Sequence, residues 1–88
     1  MTQNTITQEQ INTLLADSEI EVSTRFGKVT VVSVRLPHGF VLTEACGAVD
    51  PANYDEKIGR DICLGRIKNK LWELEGYALS KQLNLGSR

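Results

Sequence analysis

Between Glu19 and Cys46 apolar and polar positions alternate. Ile20, Val22, Thr24 and Phe26 are separated by Glu19, Glu21, Ser23 and Arg25, the period of a half-buried strand. A second strand, rich in β-branched residues, is predicted from about Val29 to Leu36, and a third from Phe40 to Cys46. Gly27-Lys28 makes the first turn. In the second, Leu36-Pro37-His38-Gly39, Pro37 presets φ for the first corner and Gly39 can take the left-handed position. Connections this short admit no crossover helix, so the strands form an antiparallel meander.

On both sides of the meander the period becomes helical. Thr7 is a good N-cap with Gln10 three residues on, as in a capping box, and Ile6 and Ile11 suit a hydrophobic staple. Ile11, Leu14 and Leu15 form a narrow apolar stripe that Asp17 and Ser18 end. After the meander, Asp50-Pro51 can cap a first turn, and Asn53 or Asp55 a main helix running to about Asn84, where Asn84-Leu85-Gly86 supplies a glycine stop. Such a helix is about 43 Å long. It outruns strands that span ~23 Å. The predicted class is α+β: one domain over residues 1–88, with a short N-terminal helix, a three-stranded meander and a long C-terminal helix.

The long helix carries apolar residues on two faces. Ile58, Ile62, Trp72, Leu79 and Leu83 share one side; Cys63, Ile67, Leu71, Leu74 and Ala78 share the other. A surface helix of a monomer needs one stripe. Two stripes imply two partners, the chain's own sheet and something else. Ile67, Leu71, Leu74 and Ala78 are the expected contact between copies in a homo-oligomer. The alternative is a break at Gly65 or Gly76, giving two shorter helices with one stripe each.

Composition adds limits. Eighty-eight residues are near the lower end of what folds alone, which favours self-assembly. A formal net charge of −1 argues against a general nucleic-acid binder. No apolar run approaches the length of a membrane span. The N-terminal residues lack the basic and apolar segments of a secretion signal, so the expected compartment is cytosolic, with Cys46 and Cys63 reduced. Their spacing, beside a single histidine, is not a zinc pattern, and both read as small, semi-buried hydrophobes.

The chemistry on offer is binding rather than catalysis. His38 sits in a tight turn, neither cysteine has a sequence-local base, and Asp50, Asp55 and Glu56 stand where a helix start favours negative charge. No cofactor or metal motif is present. Arg25 and Arg35 lie on or beside the first hairpin, and Arg60 and Arg66 on the helix. Converging from several subunits, these guanidinium groups would form a phosphate pocket. Phe40, Tyr54 and Trp72 are the aromatics able to stack on a base, and Asn53 offers an amide for a base edge. The plain alternatives are core positions for Trp72 and Phe40, and a solvated helix face for Lys68 and Lys70.

The runs VDPANYDEKIGR (Val49 to Arg60) and KNKLWELEGY (Lys68 to Tyr77), with the hairpin FGKVTVVSVRLPHGF, resemble a widespread family of small tailed-phage proteins. The resemblance covers roughly residues 5 to 80 and implies no established activity. The layout of a small antiparallel sheet followed by long helices is similar to phage sponge proteins of Thoeris anti-defence and anti-CBASS, a likeness of fold alone. Those proteins assemble as dimers or hexamers and sequester cyclic ADP-ribose isomers or cyclic oligonucleotides uncleaved. The likeness of layout implies a non-enzymatic homo-oligomer, acting in the cytoplasm of the infected or lysogenic host, that binds a nucleotide second messenger. The other reading is a protein–protein module using the second apolar face of the long helix.

Overall fold

A computed structural model of the chain describes residues 5–84. Helix α1 spans Gln8–Ala16, strands β1, β2 and β3 span Glu19–Arg25, Val29–Arg35 and Val41–Gly47, a 3₁₀ turn covers Pro51–Asn53, and helix α2 runs unbroken over Glu56–Asn84. The sheet is an antiparallel meander in the order β1-β2-β3. The expected α+β layout is the one observed.

The capping box at Thr7 is complete. Its hydroxyl accepts from the Gln10 amide and its own amide donates to the Gln10 side chain. The alternation of the strands holds as far as Arg25. There the expected first strand ends one residue early: Phe26 takes φ 56° in the hairpin and is 93% exposed. A bulky residue in the left-handed region is unusual. Phe26 and Gly27 together turn the chain, and the Lys28 amide closes on the Arg25 carbonyl at 3.1 Å. Phe40 also differs from the core reading. It lies at the β2–β3 turn and is exposed.

One face of the sheet carries Thr30, Val32 and Val34 from the central strand and Leu42 from β3, all buried. Helix α2 packs on this face through Gly59, Cys63, Ile67 and Leu71, and α1 completes the core with Ile11 and Leu15. Trp72 packs at the edge of that core, as its core reading expected. This corrects the expected interface between copies. Ile67 and Leu71 are wholly buried in their own chain and are not available to another. The two apolar stripes are both real, but the sheet takes the one that contains them. Of the four expected interface residues only Leu74 and Ala78, beyond the end of the sheet, are exposed.

Helix α2 does not break at Gly65 or Gly76, although each glycine costs an exposed helix interior about 1 kcal/mol relative to alanine. The helix outruns the sheet, and the molecule measures 56 × 22 × 19 Å. Its radius of gyration of 16.1 Å exceeds the ~12 Å of a compact chain of this length. The expected glycine stop at residues 85–86 lies outside the described residues.

Candidate functional site

The segment GAVDPANYDEKI turns the chain from β3 into α2, and each of its carboxylates has a local task. The Asp50 side chain accepts from the Ala52 amide at 2.9 Å and holds the 3₁₀ turn. Asp55 is the N-cap of α2, accepting from the Lys57 amide at 2.9 Å. Glu56 accepts from the Thr24 hydroxyl at 2.5 Å. The helix start was legible in sequence; the reach of Glu56 back to β1 was not.

Tyr54 occupies the centre of a hydroxyl chain. Its phenol oxygen lies 2.8 Å from Thr24 Oγ1 and 2.7 Å from Thr30 Oγ1. Because a carboxylate only accepts, Thr24 donates to Glu56 and must accept from Tyr54. Tyr54 in turn accepts from Thr30, whose side chain is fully buried. The Tyr54 hydroxyl therefore ties the helix start to two strands. Tyr54→Phe leaves the buried Thr30 hydroxyl without an acceptor, at an expected cost of about 1–2 kcal/mol. A thermal melt should show Tm lower by roughly 5–10 °C.

Directly beneath the chain of hydroxyls, Gly59 lies against Thr30. A Cβ at Gly59 would stand 2.8 Å from Thr30 Cβ, closer than such atoms approach. A side chain here would push α2 off the sheet. Cys63, one turn on, points its thiol at the Thr30 carbonyl at 3.8 Å, and burial pushes that thiol above its usual range.

Outside this corner is a small cavity of about 110 Å³, lined by Cys46, Gly47, Asn53, Tyr54, Ile58 and Ile62 among others. Asn53 is exposed at its rim. A second, open groove of about 510 Å³ lies between α1 and α2, with Leu15, Ile20 and Leu64 as apolar walls and Asp61 and Lys68 as charged ones.

The expected ligand residues fall into separate groups. Asn53 and Tyr54 line the corner cavity. Arg66 sits one turn beyond Ile62 on that flank of α2, where its Nη1 donates to the Ala45 carbonyl of β3 at 3.1 Å. Arg25, paired with Val29 in the sheet, is at the hairpin end of the sheet, near Gly47. Arg35 and Phe40 are at the other end, about 20 Å away. There Arg35 is ion-paired with Glu19, whose hydrogen bond and charge raise the guanidinium pKa further. Arg60 is exposed on the flank of α2 away from Arg66, as their spacing on the helix requires. A single chain thus brings Asn53, Tyr54 and Arg66 to one corner and leaves Arg35, Phe40 and Arg60 elsewhere. Sequence reasoning missed the Thr24–Tyr54–Thr30 chain, and the one available signal was a tyrosine just before an N-cap, which can reach back over the sheet.

These features define a small α+β protein whose one long helix is fastened to a meander at a hydroxyl-bonded corner. The chain belongs to the phage protein (N4 Gp49/phage Sf6 gene 66) family, whose model its residues 1–83 match. No curated protein and no solved structure matches it. Among the described residues no helix is long and apolar enough to cross a membrane.

Proposed function

We propose that this phage protein is a non-enzymatic homo-oligomer that binds and sequesters a nucleotide second messenger of host immunity in the host cytoplasm. The observation that carries the reading is the position of the corner cavity. At about 110 Å³ it is well below the ~300–1,000 Å³ of a complete small-molecule site. Yet two of its lining residues, Ile58 and Ile62, are also the start of an exposed apolar face of α2, with exposures of 58% and 42%. A second subunit seated on that face would add the missing wall. Asn53 then presents an amide to a base edge and Arg66 a fork to a phosphate. Sequestration, rather than turnover, needs only affinity and a sufficient number of sites.

The residues of the corner separate binding from folding. Asn53→Ala is expected to abolish retention of the bound nucleotide, measured by filtration of protein–nucleotide mixtures, while sedimentation shows the oligomer intact. Retention by this variant at the wild-type level would contradict the site. A second reading has the exposed face of α2 grip a host or phage protein instead. A wild-type chain that sediments as a monomer would favour it.

A further inference from the structure

The outer face of α2 is patterned for a second copy of itself. Ile58, Ile62, Gly65, Asn69, Trp72, Gly76, Leu79 and Leu83 follow one another at alternating steps of four and three. That is the spacing of a helix-packing seam, and it lies opposite the stripe buried on the sheet. Large and small residues on it are arranged about Asn69. Ile62 and Gly76 each stand seven residues away, on opposite sides; Gly65 stands four before and Trp72 three after. Nothing lies within 4 Å of a Cβ built at Gly65 or Gly76, so the chain's own packing does not require either glycine.

We propose that two copies pair through this face with their α2 helices antiparallel and a twofold axis at Asn69. In that arrangement Ile62 of each copy fills the hollow at Gly76 of the other, and the edge of Trp72 that its own core leaves exposed fills the hollow at Gly65. Parallel pairing would set glycine on glycine and tryptophan on tryptophan. Charge agrees with the antiparallel order. Arg66, three residues before Asn69, meets Glu73, four residues after it, on the second copy. Both lie on the same flank of the seam, and Glu73 has no ion pair among the described residues.

The pairing also completes the corner cavity, a step that rests on the proposed nucleotide function. Ser80, eleven residues after Asn69, is level with Ile58, eleven before. Ser80 stands five full turns beyond Ile62 on the same side of α2, so Ser80 of the second copy comes to the mouth of the cavity. Its hydroxyl supplies a hydrogen-bonding group that the single chain does not place there.

The test uses the full chain in sedimentation equilibrium, with cysteine crosslinking for register. The double variant Gly65→Leu/Gly76→Leu meets open space within its own chain and improves helix propensity. It is expected to keep its circular dichroism and melting behaviour but to sediment as a monomer, where the wild type sediments as a dimer or a multiple of one. Under mild oxidation Asn69→Cys is expected to crosslink to itself and Ile62→Cys is not. A monomeric wild type, a dimer indifferent to the two leucines, or self-crosslinking at Ile62→Cys would overturn the pairing. Ser80→Ala is expected to stay dimeric and weaken nucleotide retention. If instead the wild type pairs as stated but retains no cyclic nucleotide, the pairing stands and the nucleotide function fails.

Discussion

Ile67→Ala is expected to cost the fold about 3–4 kcal/mol, a large part of the ~5–15 kcal/mol that holds a small domain together. Ile67 is wholly buried between Cys63 and Leu71 on the sheet-facing stripe of α2, with Val32 and Val34 on the central strand of the same core. Truncation removes the transfer free energy of its methyl groups and leaves a cavity that close-packed neighbours cannot fill. Urea unfolding followed by circular dichroism should show the midpoint falling steeply at an unchanged slope. Ile62→Ala, on the outer face and 42% exposed, serves as the control and should change monomer stability by less than about 1 kcal/mol. A larger loss for Ile62→Ala than for Ile67→Ala, both made in the monomeric Gly65→Leu/Gly76→Leu background, would mean that the stripes have been assigned the wrong way round.

Gly59→Ala is the second large effect. It adds one methyl group at the closest approach of α2 to the sheet, 2.8 Å from the Cβ of a fully buried threonine. Thr30 cannot turn away without giving up its 2.7 Å bond to Tyr54. The helix must therefore lift, loosening Cys63 and the N-cap together. A loss of about 2–3 kcal/mol is expected, against the gain of up to ~1 kcal/mol that Gly→Ala brings to an unconstrained helix position. The sign is the informative part. Gly65→Ala and Gly76→Ala, where a new Cβ meets nothing, should stabilise the single chain instead. Thr30→Ala in the Gly59→Ala background should recover only part of the loss, because the Thr30 Cβ remains in the way. A stabilised Gly59→Ala would show that the helix does not sit this close to the sheet.

The contrast between these glycines explains how much of the fold was legible. Periodicity and punctuation carried the element order: the capping box at Thr7, the strand alternation and the N-cap before α2 are local signals, and each element lies where they place it. What failed was the allotment of faces. Both stripes of α2 are apolar, and sequence alone does not say which one the sheet takes. Gly59 was the overlooked clue, since a helix that must approach a buried threonine turns its glycine inward and carries Cys63, Ile67 and Leu71 with it. Phe26 failed for a related reason. Its apolar character continued the strand pattern, but the hairpin geometry used it in the turn. The site was legible only in part. Asn53 and Tyr54 do share a corner, yet Tyr54 uses its hydroxyl to bind two strands, a task that depends on pairing across 24 and 30 residues of sequence. The arginines looked alike in the sequence; the fold brings Arg66 to the corner, pairs Arg35 with Glu19 at the far end of the sheet, and sets Arg25 on the sheet face opposite Thr24.

Whether the protein holds a nucleotide signal without changing it, as proposed, is decided by one uptake-and-release measurement. Purified protein is mixed with a panel of cyclic di- and trinucleotides and cyclic ADP-ribose isomers and filtered, and the flow-through is quantified by chromatography. The retained fraction is then heat-denatured and measured again. The expected result is that one class of ligand disappears from the flow-through and returns intact on denaturation. A panel that passes through unretained, or a ligand that returns chemically altered, would contradict it.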